Sequence, residues 1–258
     1  MLTFLRKIRK SLIETGSTRK YLIYAVGEIV LVVLGILIAL QVNNLNENRK
    51  LRKKEISVYK EIKAELAATK QELVDDKAGL ERNLKRVIRV RNILVLKRAS
   101  LDTLEEDLPE LYNQKSFVPK TSAFESLKSF GLDILSDDSI RTAITNLYQL
   151  DFQYFLITPA QLEHLKFPDK ILPLLEKHLK INTSMINSDI ANNRIMVRRR
   201  YFPYEIKDLQ AFFNDDNLVV AIQESLSWRS ARIRQHQVLL NKIESVDEMI
   251  SGELQRLE

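Results

Sequence analysis

The chain has 258 residues, 29% of them charged and 45% hydrophobic, with a formal charge of +6. Outside one apolar stretch this is ordinary water-facing protein, with room for one domain or a bundle with a stalk and not for two independent enzyme domains. Six glycines, six prolines and a preponderance of Leu, Ile, Lys, Glu and Arg favour an all-α fold, while the absence of cysteine excludes disulfides, thiolate metal sites, thiol nucleophiles and a lipidated cysteine.

Residues 1–20 form a basic arm. Arg6, Lys7, Arg9, Lys10, Arg19 and Lys20 face the single acid Glu14, and Leu2, Leu5, Ile8 and Leu12 make an apolar stripe between them. Such an element suits an anionic leaflet. The same charges could be read as a nucleic-acid patch, but their place beside an apolar span assigns them to the bilayer, and no nucleic-acid partner is expected.

Residues 21–42 read YLIYAVGEIVLVVLGILIALQV, with Glu28 as the one ionisable carboxylate. A transmembrane helix needs about 20 predominantly apolar residues, and this is the one stretch that has them. It exceeds the roughly 7–15 residues of a signal-peptide core, and its exit, Ile38-Ala39-Leu40-Gln41, lacks a small-residue cleavage site. A retained single-pass anchor is predicted. Arg49, Lys50, Arg52, Lys53 and Lys54 follow the span about as densely as the arm precedes it, so the positive-inside rule nearly cancels. The short arm, with no earlier span, decides for a cytoplasmic N-terminus in a bacterial inner membrane and a periplasmic bulk. Within the span Glu28, Val32, Gly35 and Ala39 share a helix face. A carboxylate beside small residues there favours contact with protein over lipid. The plainer reading is a carboxylate at the entry end of the helix, drawn toward the headgroups.

Residues 43–98 are predicted to continue as a long stalk helix. Tyr59, Leu66, Leu73, Leu80, Val87 and Leu94 recur at the seven-residue period of a coiled-coil seam. Companion positions hold Ile62 and Val90 but also Thr69, Asp76 and Asn83, polar residues of the kind that specify register. Residues 99–213 hold every proline and are predicted to form a small helical head. There Ser122 and Glu125 read as a capping box, Gly131 as a helix stop, and Ser136, Asp137 and Asp138 as the start of a helix carrying Ile140, Ile144, Leu147 and Tyr148. Two helices joined through a glycine resemble a helix-turn-helix, but flanking acids and the lack of a basic recognition face argue against one. Farther on, Arg198-Arg199-Arg200-Tyr201 combines cations with an aromatic, as an anion or partner patch would. Its plainer reading is an aromatic capping the bundle beside arginines paired with nearby carboxylates.

Residues 214–258 form the last predicted helix. Asn214, Asp215 and Asp216 offer N-cap chemistry, and Val219, Ile222, Leu226, Ile233, Leu240, Ile243, Ile250, Leu254 and Leu257 keep a heptad rhythm, with Arg229, His236 and Asp247 in the remaining seam positions. This helix is expected to pack antiparallel on the stalk helix, with Arg229 or His236 facing Asp76 or Asn83.

The stretch Lys20 to Asn44, preceded by Arg6-Lys7-Ile8-Arg9, resembles the opening of an uncharacterised family of single-span membrane proteins abundant in Bacteroidota, a domain of unknown function (DUF6090-like). The motif Ala123-Phe124-Glu125-Ser126-Leu127-Lys128-Ser129 through Gly131, with Ile140-Arg141 and Leu147-Tyr148, is similar to that family's second signature. Leu45 stands where the resemblance leads one to expect tryptophan. The resemblance implies a bacterial membrane protein and supplies no activity, cofactor or catalytic residue.

The residues themselves add no catalytic motif. His164, His178 and His236 are the three histidines and make no HExxH; no G-x-S-x-G, S-x-x-K or glycine-rich phosphate loop is present, and the acid pairs read as helix starts. No enzyme activity, metal or cofactor is expected. Two readings follow: a membrane-anchored structural or interaction module of the envelope, in contact with the bilayer and with a second copy or another membrane protein, and a sensor-like bundle that binds a ligand and signals through a partner membrane protein. With only about 20 residues ahead of the span, the sensor has no output domain of its own.

Overall fold

The structure is a computed structural model that describes residues 18–98, 101–111, 117–161, 167–191 and 204–258. It divides into two compact units, Met1–Ser57 and Val58–Glu258. Helix α1, Thr18–Leu96, runs from the first into the second without interruption. It contains no proline, and its interior glycines do not break it.

In the first unit the described residues are all α1. Its large apolar side chains between Leu22 and Val42 are 47% to 69% exposed, so no packing within the unit accounts for this apolar run. Among the described residues this is the one helix long and apolar enough to cross a membrane.

The second unit is built along two antiparallel long helices, α1 from Val58 onward and the C-terminal helix α9, Asp216–Leu257. Their pairing is fixed at intervals along the seam. Lys60 meets Glu258 at 2.7 Å, Lys63 meets Asp247 at 2.8 Å, Lys70 meets Glu244 at 2.8 Å, and Arg91 donates to Gln223 at 3.3 Å. Between these polar edges Tyr59, Ile62, Leu66, Leu73, Leu80, Val87, Val90 and Leu94 are buried, as are Ile222, Leu226, Leu240, Ile243, Ile250, Leu254 and Leu257. Heptad apolar spacing has put one stripe of each helix out of water, at about 25 cal/mol per Å² removed.

Shorter elements pack along this pair. Helix α2, Leu101–Asp107, passes into a 3₁₀ turn at Leu108–Leu111. Helix α3, Ser122–Phe130, ends at Gly131, whose φ of 99° lies in the left-handed region and whose N–H bonds back to Leu127 O and Lys128 O. Helix α4, Asp138–Asn146, starts at Asp137, whose carboxylate accepts from the N–H groups of Ser139 and Ile140. A π turn over Leu147–Asp151 then leads into α5, Phe152–Gln161. Helix α6, Phe167–Glu176, carries Pro173 inside it. Strand β1, Leu179–Ile181, is followed by α7, Thr183–Ala191, strand β2, Tyr204–Ile206, and α8, Leu209–Phe213. The strands pair antiparallel, with Lys180 opposite Glu205. This two-stranded ribbon is an addition to the expected all-α fold; three-residue strands are too short to show a period-two pattern in sequence.

Among the described residues, two groups of core side chains pack along the helix pair. One gathers Val87, Val90, Leu94, Leu104, Leu108, Leu111, Ile171, Leu175, Phe212 and Ile222 where α2, α6 and α8 close on the helix pair. The other is aromatic: Phe124 stacks on Tyr148 at 4.5 Å, Tyr148 meets Phe152 edge-on at 5.1 Å, and Phe117 meets Phe155 edge-on at 5.3 Å.

Candidate functional site

The polar residues that interrupt the seams are where side-chain chemistry is concentrated. Arg229 is completely buried. Its Nε donates to Asn83 Oδ1 at 2.5 Å, its Nη2 to the carbonyls of Glu110 (2.8 Å) and Leu111 (2.9 Å), and its Nη1 to Ser225 Oγ. Asn83 in turn donates from Nδ2 to the Glu110 carboxylate at 2.6 Å. The 3₁₀ turn makes this possible by aiming two consecutive carbonyls and one carboxylate inward. Beside it the Asp107 carboxylate, itself buried, accepts a two-pronged contact from Arg89 at 2.7 and 2.8 Å, which raises the Arg89 pKa. Burial pushes the Arg229 guanidinium down to about 10, against the opposing charge of Glu110. Of the pairings the seam pattern allowed, Arg229 with Asn83 is hydrogen-bonded, and Asp76 acts electrostatically on His236.

One turn further along α9, Arg232 and His236 share a second layer. The Arg232 guanidinium lies 3.9 Å over the Phe155 ring and donates to Phe155 O at 2.9 Å. Burial lowers it to about 10, with Asp76 acting in the opposite sense. His236 is 2% exposed and packs edge-on against Phe155 at 4.9 Å. Its Nδ1 donates to Arg232 O at 2.8 Å, which fixes the tautomer. Burial holds its pKa below the ordinary value; the Arg232 carbonyl and Asp76 pull it up, while the charges of Arg232 and Lys77 push it down.

A third layer centres on Glu65. Its carboxylate accepts from Tyr148 Oη at 2.8 Å, Ser122 Oγ at 2.8 Å and the Ala123 N–H at 2.7 Å. Glu65 therefore caps α3 from another helix. The capping box expected from Ser122 and Glu125 does not form: Thr121 is the N-cap residue without a side-chain cap bond, and Glu125 pairs with Lys128 at 3.0 Å. A carboxylate on the neighbouring helix has taken the place of the local one. Burial, the hydrogen bond to Glu65 and that carboxylate's charge all raise the Tyr148 pKa, so the phenol stays protonated.

At the far end of the bundle His178 Nε2 donates to Asp215 Oδ2 at 2.7 Å. Asp215 is also the N-cap of α9, accepting from the Leu218 N–H at 3.1 Å. Burial raises its pKa, but the bonds from His178 and Leu218 outweigh it and the net shift is downward. This pair lies apart from the other layers and reads as a helix cap.

An open groove of about 360 Å³ lies between α9 and the π turn with α5. Phe155 and Leu239 form its floor, Tyr154 and Val238 its sides, and Arg234 and the Lys242–Asp151 ion pair its rim. No sequence pattern marked it, because Tyr154 and Val238 lie on different elements.

Glu28, Val32, Gly35 and Ala39 stand along one face of α1. A Cβ at Gly35 would meet no atom within 4 Å. Arg198, Arg199, Arg200 and Tyr201 lie outside the described residues, as does His164. Among the described residues no group of three or more His, Cys, Asp or Glu could hold a metal.

Fold and polar layers define a helical protein with a long apolar helix at its N-terminal end and a bundle knit by buried charged side chains. Residues 28–193, more than half of the chain, match the Family of unknown function (DUF6090), and the chain belongs to that family. No curated protein and no solved structure matches it.

Proposed function

We propose that this protein is a single-pass, membrane-anchored interaction module of the bacterial cell envelope. Its span crosses the inner membrane, its C-terminal bulk lies in the periplasm, and α1 beyond Val58 pairs with α9 as a coiled-coil stalk carrying a small helical head. Self-association, or binding to another membrane protein, runs through the face of Glu28, Val32, Gly35 and Ala39. The observation that carries the reading is the exposure of every large apolar side chain named between Leu22 and Val42, a run that needs lipid or protein around it. Open space at Gly35 supports close approach of another backbone.

Crosslinking in native membranes followed by mass spectrometry tests this directly. Expected are crosslinks to a second copy or to one recurring membrane protein, lost in Gly35→Leu and weakened in Glu28→Gln; a strictly monomeric, partnerless chain would sink the module. Reporter fusions at Glu258 test orientation, and cytoplasm-only activity would reverse it. The sensor reading is favoured by one observation, the open groove in the bundle.

A further inference from the structure

The groove between α9 and the π turn has an apolar interior and a basic rim. Tyr154 and Val238 are 68% and 57% exposed, so two large apolar side chains stand in water on either side of a floor made by Phe155 and Leu239. The Arg232 guanidinium lies over the Phe155 ring and His236 meets that ring edge-on, and both are tied by hydrogen bonds to backbone carbonyls.

The charge at the rim is unbalanced. Lys242 is paired with Asp151, whereas Arg234 is exposed and has no partner among the described residues. The lining thus presents two cations to one carboxylate. A volume of about 360 Å³ is at the lower end of small-molecule pockets. A docked peptide helix would instead need a trough about 10 Å wide over several turns.

From this arrangement we infer that the groove binds a small amphiphilic monoanion, an alkyl or aryl carboxylate whose tail lies between Tyr154 and Val238 and whose head pairs with Arg234. A guanidinium fork matches a carboxylate in two-pronged geometry, and the single surplus positive charge fits a monoanion better than a phosphate dianion. The inference gives the sensor reading its ligand class and does not require self-association. A monomeric chain that binds the acid would overturn the module and leave this site standing.

The test uses the full chain in zwitterionic nanodiscs, with radiolabelled octanoate in equilibrium dialysis and empty nanodiscs subtracted. Saturable binding is expected, weakened about tenfold by Arg234→Glu and abolished by Val238→Asp. Octanol uptake should fall with Val238→Asp and be unchanged by Arg234→Glu. Because both variants alter exposed side chains, an unchanged far-UV circular dichroism spectrum will show that each folds. A diazirine analogue of octanoate should label residues within 151–155 or 231–242. Absence of saturable binding, labelling elsewhere, or equal affinity in Arg234→Glu would overturn the inference. So would a photocrosslink from position 238 to a membrane or periplasmic protein when octanoate fails to bind, which would assign the groove to a protein partner.

Discussion

Replacing Arg229 by alanine removes a donor to four acceptors, Asn83 Oδ1, Ser225 Oγ and the carbonyls of Glu110 and Leu111, of which the Glu110 carbonyl keeps a second hydrogen bond from Asn83 Nδ2 at 2.9 Å. It also removes one positive charge acting on the Glu110 carboxylate, 1% exposed, which keeps Arg86 at 3.9 Å. An unsatisfied buried acceptor costs about 1–3 kcal/mol, so the three left without a donor would cost at least about 3 kcal/mol if none recovered a partner. Water entering the vacated space recovers some, and breaking a buried charged contact from one side costs about 3–5 kcal/mol. The expected loss is therefore about 4 kcal/mol, a large fraction of the roughly 5–15 kcal/mol stability of an ordinary domain. Arg229→Lys keeps the charge but has only three donors on a flexible stem, so it should fall between wild type and Arg229→Ala. Denaturant unfolding of the full chain in mild detergent can be followed by circular dichroism and by Trp228, the single tryptophan, whose ring lies 5.8 Å from the Arg229 guanidinium. A double-mutant cycle should show at least about 1 kcal/mol of coupling between Arg229 and Asn83 and near zero between Arg229 and Asp76. A loss below about 1 kcal/mol in Arg229→Ala, or stronger coupling to Asp76, would refute the argument.

Glu65→Ala strips the cap from α3 and the partner from Tyr148 Oη, and should cost about 2–4 kcal/mol in the same assay; Glu65→Gln, which retains an acceptor, should cost less. Gly131→Ala puts a Cβ at φ 99°, in steric conflict with Asp133 Oδ1. The aspartate can swing away but the backbone cannot, so about 1–2 kcal/mol should be lost. For His236 the folded pKa lies below the unfolded 6.5, so the unfolded chain binds more protons as pH falls through 6.5, and stability drops on the acid side. The slope from one group is bounded at about 1.4 kcal/mol per pH unit. His236→Gln should flatten the stability profile between pH 7 and the folded pKa, and an unchanged acid slope would assign the sensitivity to other groups.

Much of the bundle was legible because its physics is periodic. Heptad spacing located the buried stripes of α1 and α9, and short polar side chains located the starts of α4 and α9 at Asp137 and Asp215. The apolar run from Tyr21 to Val42 required only a count. What sequence could not show depends on non-local geometry. Glu65 and Ala123 are far apart in the chain, so a local capping box looked sufficient until another helix supplied the carboxylate. Asp107 and Glu110 carry no local signal of burial; Asp107 ends α2, Glu110 sits in the 3₁₀ turn, and both are buried by what packs around them. The groove belongs to the same class, since it exists through the approach of α5 to α9.

The buried polar layers also answer why this seam holds one register. An apolar heptad stripe can slide by seven residues, about 10 Å along a helix, and still bury leucine against leucine. Sliding α9 to bring Arg229 opposite Asp76 would give the guanidinium a carboxylate, so the arginine alone does not forbid it. The cost falls on what remains. Asn83 and Glu110 would then face Ile222, and the Leu111 carbonyl would lose its Arg229 donor while the Glu110 carbonyl kept only that of Asn83. Sliding the other way would set Arg229 against Val90 and take it from Asn83. Each alternative strands several buried polar atoms, at about 1–3 kcal/mol apiece, while the apolar burial hardly changes. The layers thus confer specificity more than net stability, and replacing Arg229, Asn83 and Glu110 together by apolar residues should recover much of the stability lost in Arg229→Ala. It should also admit more than one register, visible as several distances between spin labels placed on exposed positions of α1 and α9. A single sharp distance in that triple variant would show that the apolar seam alone sets the register.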